Sequence, residues 1–498
     1  MNRFKGLLWI ALPLIGTLFA WRLYLVPSRA ETAAFFMLVM LLPTMRFPKF
    51  GMYYLFTISL LIPMFRRMYY LVGDRPKLDY LMLISDGVMA GFVAALVLTW
   101  VLARERIRDP LSGFVLVYLF FLFIKIFFEN IGGIQNGLYG FKFNGLYVLF
   151  FFAGSHIVKG APGMLGLIKV GACALLFTAL YGIKQITLGF FDFEQRWLDS
   201  ITFTTLRIEG VVRPFSTYVS PAAMADGMCI LFLVGVFYIG LRRGFNQIWG
   251  AILIAGSIFP LLIATVRTSW VGVTVAIFFY VFFLRIKHQW IRVAFLLAMV
   301  IGCFGFVTKS DSHADGQNAA LSAQMGGSRS LTSVMIRNRT AALANPMQEY
   351  SIQKRMQIWQ EIWYFALRYP LGRGQGTHGY AHSYYFQILG EIGFPGILAF
   401  LGILFLGFKR GFQILRLSPN HEEGELTRFF MSLIFMFAIL NLTGTHLHTN
   451  PGDIWFWFSL GALSQIYRNN KPKIGLGPTR PEGNSTPILR INPLINRA

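Results

Sequence analysis

Charged side chains are scarce in this chain. Asp, Glu, Lys and Arg make up 13% of its 498 residues, against about 25% in a soluble protein. Acids are the scarcer sign: 22 Asp and Glu stand against 45 Lys and Arg, a formal net charge of +23. So few charges beside 55% hydrophobic residues exclude a disordered chain, a coiled coil and an ordinary soluble enzyme. Cysteine is rare as well. Cys173, Cys229 and Cys303 each lie inside an apolar run, and none stands at ligand spacing from another. They read as small buried residues and carry no information on redox compartment. A phosphate-binding Gly-rich loop, a dinucleotide fingerprint and a zinc-protease helix are all missing. The positive charges punctuate long apolar runs, which assigns most of them to orienting helices in a bilayer and not to nucleic acid.

A bilayer span needs about 20 mostly apolar residues. Windows of that kind predict spans near 6–26, 31–46, 51–65, 81–103, 111–128, 144–158, 163–183, 221–241, 248–266, 268–284, 292–308, 386–408, 428–443 and 452–467. The expected fold is all-α: a polytopic membrane bundle of about 12–14 transmembrane helices. The first run follows Arg3 and Lys5 and has no Ala-x-Ala site, so it reads as a retained signal anchor. The chain divides into N-terminal spans (1–183), central spans with a first outside loop (184–308), a large outside loop (309–385), C-terminal spans (386–467) and a Pro-, Gly- and Asn-rich tail (468–498) expected to be disordered and cytoplasmic.

With the N-terminus inside, the basic links all fall on the cytoplasmic side: Arg104, Arg106 and Arg108; Arg242 and Arg243; Arg285, Lys287 and Arg292; Lys409, Arg410 and Arg416. Arg66, Arg67, Arg75 and Lys77 break the pattern, because the count puts them outside. Either they serve a function there or the third span is wrong. Two long connections also fall outside. In the larger one, Met356, Trp359, Ile362, Trp363 and Ala366 recur at three-to-four spacing between Gln353 and Tyr369. That spacing predicts an amphipathic helix at the membrane surface, stopped by Pro370 and the glycines of LGRGQG.

The outside connections hold the candidate chemistry. Lys309, Arg329, Arg337, Arg339, Lys354, Arg355, Arg368 and Arg373 outnumber the nearby acids, which suits an anionic phosphate or pyrophosphate ligand held by arginine forks. Arg267 sits between two apolar runs, where a charge is costly unless it faces a partner or a cavity. Arg213 and Arg207 precede the span at Pro221 and can reach the same place. His382, with His378 in the same turn, precedes the return of the chain into the membrane, and an imidazole is the side chain that exchanges a proton near neutral pH. Asp86 and Asp226 read as hydrogen-bonding partners inside the bundle or as partners of Arg213 or Arg267. Lys125 and Glu129 have the spacing of a pair on one helix face. His446 and His448 are a weak candidate for a metal pair. The first outside link is merely VPSRAE, too poor in acids to hold a metal.

Four stretches, in order, make the chain resemble the O-antigen ligase family, which includes related O-antigen and exopolysaccharide polymerases. VRPFSTYVSPAAMA at Arg213 is similar to the family's Arg-x-x-Gly-Thr-Phe-x-x-Pro-Asn-x-x-Ala, with Phe215-Ser216 in place of Gly-Thr and Ala222 in place of Asn. TVRTSWVGV at Arg267 is similar to Ser-Arg-x-x-Trp, with Val266 for Ser. KRMQIWQEIWYFALRYPLGRGQG resembles an Arg-x-x-x-Trp helix ending in Pro-x-x-Gly-x-Gly. AHSYYFQILGEIGFPGILAFL resembles His-Asn-x-Tyr-x-x-x-x-x-Glu-x-Gly-x-x-Gly, with Ser383 for Asn and with His382, Glu391, Gly393 and Gly396 in register. The likeness covers about residues 200–410.

The resemblance implies an all-helical membrane fold of the inner membrane with a large periplasmic loop. It implies a glycosyltransferase that works without metal or cofactor on a donor glycan carried by undecaprenyl pyrophosphate. His382 is then the base, Arg213 and Arg267 hold the pyrophosphate, and Arg355 closes the site from the loop helix. Glu391 and Gly393 shape the start of the following helix, and His378, Arg207 and Asp226 are secondary candidates. The acceptor is lipid A core or protein for a ligase and another glycan chain for a polymerase, with the polymerase slightly favoured. A transporter or flippase of lipid-linked sugar is the alternative; it predicts internal repeats and charges at the bilayer midplane. A structural or sensor membrane protein would leave His382 without a role.

Overall fold

The computed structural model describes residues 29–72, 80–103, 109–128, 133–200, 206–208, 211–242, 244–283, 350–376, 381–417 and 420–475. The expected spans at 6–26 and 292–308, Glu129, and residues 309–349 of the large loop lie outside these.

Among the described residues the apolar runs are helical, giving an all-α polytopic membrane protein. The described helices are α1 (Arg29–Arg46), α2 (Pro48–Phe56), α3 (Ile62–Val72), α4 (Tyr80–Ala103), α5 (Pro110–Ile124), α6 (Gly133–Asn144), α7 (Gly160–Thr187), α8 (Asp192–Asp199), α9 (Pro221–Gly240), α10 (Gly244–Ile263), α11 (Arg267–Phe278), α12 (Tyr350–Arg368), α13 (Tyr384–Glu391), α14 (Gly393–Arg416), α15 (His421–Thr443) and α16 (Gly452–Gly475). Among the described residues, α7, α9, α10, α14 and α15 are long and apolar enough to cross a membrane, and α5 and Arg267–Val281 are shorter apolar helices.

Helix α9 forms the centre. Ser220 caps it, its Oγ accepting from Ala223 N at 3.2 Å, and Pro221 takes the first turn, where a missing N–H costs nothing. Nearly every residue of α9 is buried, and so are Trp455, Phe456, Trp457 and Phe458 of α16. Helices α10, α11 and α15 pack around α9. At the opposite end from Ser220, Arg410 of α14 makes a bidentate pair with both oxygens of Asp109, which also accepts from Ser464 of α16. That buried charge pair ties α5, α14 and α16 together.

Three expected spans are not single helices. The run 51–65 breaks between α2 and α3 through a 3-10 turn at Ile58–Leu60, and Pro63 sits in the first turn of α3. Arg66 and Arg67 therefore lie within α3 and not in a link that follows the run. The run 144–158 is a chain of short 3-10, α and π turns. Its backbone presses directly on α16: a Cβ on Gly154 would lie 2.5 Å from Phe458 O, and one on Gly461 would lie 2.0 Å from Phe151 O. The run 386–408 is divided between α13 and α14 at Gly393, whose φ is +82°. The described residues of the first long connection, between α7 and α9, form α8 and then two short antiparallel strands, β1 (Arg207–Ile208) and β2 (Val211–Val212), in the register Arg207↔Val212.

Candidate functional site

The last turn of α15 and the residues after it form the hub of the site. Thr443 O accepts from Arg355 Nη1 at 3.1 Å, Gly444 O from Tyr384 N at 3.0 Å, and Asn441 O from Ser383 Oγ at 3.2 Å. The terminal carbonyls of a helix have no partner within it, so they are open to such bonds. His446 follows, and its Nδ1 lies 2.8 Å from both oxygens of Asp226 in the second turn of α9. Of the two readings of Asp226, a hydrogen-bonding partner inside the bundle or a partner of Arg213 or Arg267, this buried pair with His446 fits the first. Asp86 pairs with Lys142 Nζ at 2.7 Å. His448 packs edge-on to Tyr384 at 5.1 Å, and burial pushes its pKa down to about 4.

His382 is half-buried, with φ at +54°, a conformation that costs about 1–3 kcal/mol for a side chain bearing a Cβ. Its neighbours hold that geometry. Ala381 N donates to Gln387 Oε1 at 3.2 Å, and Ala381 O accepts from Trp359 Nε1 at 3.0 Å. Gln387 Nε2 in turn donates to Glu391 Oε1, which also accepts from Gly376 N at 3.1 Å. Burial, and then the positive charge of Arg355, hold the His382 imidazole below the ordinary histidine pKa. A neutral imidazole at neutral pH is the form that accepts a proton.

Helix α12 brings Arg355 to His382. Its docked face carries Ile362 and Ala366, both buried, and Trp359, whose ring stacks on Phe386 at 5.4 Å and 3°. Trp363, Tyr364 and Leu367 are exposed on the other side. The amphipathic helix expected from Gln353 to Tyr369 is therefore present, with one apolar face against α13. Behind it the 370–376 turn closes onto the junction of α13 and α14. Phe394 N donates to Pro370 O at 2.8 Å, Gly374 N to Glu391 O at 2.9 Å, and Lys125 Nζ to Gly372 O at 2.9 Å. Lys125 thus reaches this turn, and Glu129, with which it was expected to pair, lies outside the described residues. A Cβ on Gly393 would lie 2.2 Å from Pro370 O, so only glycine permits the contact.

Arg213 reaches the turn between α10 and α11, which leads into Arg267. Arg213 Nε donates to Ala264 O at 3.0 Å, and Nη2 donates to the same carbonyl. Ala264 lies three residues before Arg267, the first residue of α11. Thr265, between them, has φ at +53°, and Ser216, three residues after Arg213, has φ at +53° as well. His382 and Arg355 thus form one group and Arg213 and Arg267 another. The Asp226–His446 pair links the helix that follows Arg213 to the hub that carries His382. Both groups fall at one end of the bundle, where α9, α11 and α14 begin and α10 and α15 end. Arg207 contributes backbone to the hairpin, and His378 lies outside the described residues.

Reading the sequence missed the Asp226–His446 pair, the Gln387 relay and the Trp359 bond. Each of these residues was visible only as a polar or aromatic side chain near an apolar run, with nothing to indicate its partner.

The description O-Antigen ligase belongs to the family model that matches residues 249–401, a stretch that contains Arg267, Arg355, His382 and Glu391 but not Arg213. No curated protein matches the chain. The match runs from α10 into α14, so over that stretch this all-helical membrane protein is similar to the O-antigen ligase family.

Proposed function

We propose that this membrane glycan transferase moves a glycan from undecaprenyl pyrophosphate to an acceptor hydroxyl at the periplasmic face of the inner membrane. His382 takes the proton of the acceptor hydroxyl. The acceptor oxygen attacks the anomeric carbon and inverts it. The bond from that carbon to the phosphate oxygen breaks, and its electron pair leaves with the pyrophosphate. Arg213 and Arg267 hold the pyrophosphate in a planar-fork geometry that matches its oxygens, and Arg355 closes the site from α12. The charge that grows on the leaving group is met by positioned guanidinium groups. The acceptor is a second glycan chain, as in a polymerase, or lipid A core or protein, as in a ligase.

One observation carries the reading. Within the stretch that matches the O-antigen ligase family, His382 occupies a strained turn whose imidazole is kept basic-form neutral, with Arg355 beside it. The test uses purified protein with a lipid-linked glycan and an acceptor. His382→Ala is expected to lower kcat by about 100-fold or more, the range of general base catalysis. Arg267→Ala is expected to lower kcat/KM for the donor. Unchanged transfer by both variants would refute the assignment.

A further inference from the structure

The arginine that the sequence placed on the wrong side of the charge rule has an explanation in the fold. Arg67 of α3 is 3% exposed. Its Nη1 donates to Ser216 O at 3.0 Å and lies 3.5 Å from Glu194 Oε1, and its Nη2 donates to Tyr218 O. The guanidinium carbon lies 4.2 Å from the centre of the Phe215 ring and 5.1 Å from that of Trp197. Gln185 of α7 completes the arrangement. Its Oε1 accepts from Phe215 N at 3.1 Å and Ser216 N at 2.8 Å, and its Nε2 donates to Glu194 Oε1 at 2.7 Å. Ser216 Oγ donates to Thr178 O at 2.5 Å. Side chains from α3 and α7 therefore bond the backbone of residues 215–218, just after Arg213, and Glu194 of α8 holds both of those side chains.

Stability alone does not account for such a device. A buried ion pair contributes little net stability, because desolvating both charges offsets their attraction, and an apolar replacement is often as good. What an apolar side chain cannot supply is a rigid fork of donors aimed at two backbone carbonyls. One of those carbonyls belongs to Ser216, whose positive φ needs surrounding bonds to hold it, and the other to Tyr218, two residues on. The other side of Arg213 is tied too, by Arg213 N to Leu206 O at 2.8 Å and by the guanidinium bonds to Ala264 O.

We propose that Arg67, with Glu194 and Gln185, is a positioning unit that sets the 213–218 turn and so aims Arg213 at the anionic leaving group of the donor. The inference rests on the proposed role of Arg213 as a pyrophosphate ligand. It assigns a task to a helix far outside the matched stretch.

Arg67→Lys keeps the charge but loses the fork. It is expected to raise the donor KM about 10-fold, with the acceptor KM unchanged within about twofold, since small misplacements of a binding group act on the step that group serves. In an Arg213→Ala background, Arg67→Lys is expected to add no further change. Damage to the fold in general would instead act equally in both backgrounds and on both substrates. Should Arg67→Lys fail to fold, Glu194→Gln, which keeps the shape and removes the charge, is expected to give the same donor-selective effect. Equal effects in the two backgrounds, or an unchanged donor KM in the variant that folds, overturn the proposal. Arg213→Ala measured alone separates the two claims. If it leaves donor kinetics intact, the role of Arg213 fails and the positioning claim fails with it. If Arg213→Ala is impaired while Arg67→Lys and Glu194→Gln behave as wild type, the positioning claim alone fails.

Discussion

Glu391 offers a sharp test of how the His382 turn is held. The carboxylate is buried, and its Oε1 accepts from Gln387 Nε2 and from Gly376 N. Gln387 passes the constraint to Ala381 N, one residue before His382. Glu391→Ala leaves the buried Gln387 amide without an acceptor, at about 1–3 kcal/mol, and removes the acceptor of the N–H of Gly376, an exposed residue, at about 0.5–1.5 kcal/mol, or about 1.5–4.5 kcal/mol together. Glu391→Gln keeps an oxygen in the same place and loses the charge assistance, so the cost falls to about 1–2 kcal/mol in all. Amide hydrogen exchange of the protein in detergent reads this directly at Gly376 and Ala381. Each 1.4 kcal/mol of local stability is about a tenfold change in exchange rate. Glu391→Ala is expected to accelerate exchange at Gly376 by about 30-fold or more, with Glu391→Gln well below it. Glycan transfer should fall in the same order. Exchange that is normal in both variants would show that the carboxylate does not hold the turn. So would a Glu391→Gln protein with normal exchange and no transfer, because that result would assign the carboxylate to the chemistry itself.

Other consequences follow from the same geometry. In the proposed role of base, His382 would act in its neutral form, which is lost as pH falls through its pKa, and both burial and Arg355 keep that pKa below the usual histidine value. Arg355→Gln removes one of those causes, so the acidic limb of the kcat/KM profile should move to higher pH; a limb that stays put or moves down contradicts the pairing. Gly393→Ala places a Cβ against Pro370 O at φ +82° and should cost about 1–3 kcal/mol, read as a lower thermal unfolding temperature in detergent. Asp109→Ala strands the buried Arg410 and should cost about 3–5 kcal/mol by the same measure, whereas the double change Asp109→Leu with Arg410→Met should recover most of it. Trp359→Phe keeps the stack on Phe386 and removes the bond to Ala381 O, so it should loosen α12 by about 0.5–1.5 kcal/mol, seen as faster amide exchange along Tyr350–Arg368.

Much of this protein was legible from local pattern. Hydropathy in windows of span length marks a membrane helix because each stretch must satisfy its own backbone in lipid, whatever its neighbours do. The helix at Tyr350–Arg368 was equally plain, since three-to-four spacing of Trp359, Ile362 and Ala366 is a property of one segment. His382 and Glu391 stood out for the same reason, being nine residues apart in a single motif. The tertiary structure decided what depends on chain segments remote in sequence. Asp226 and His446 are 220 residues apart, and Arg67 and Glu194 are 127 apart. The run 144–158 is apolar enough for a span, yet it packs backbone to backbone against α16 and winds into short turns. Composition and period report the solvent a segment prefers. Which buried charge finds which partner, and where a helix must break, is set by the packing of elements that the local pattern does not relate to one another.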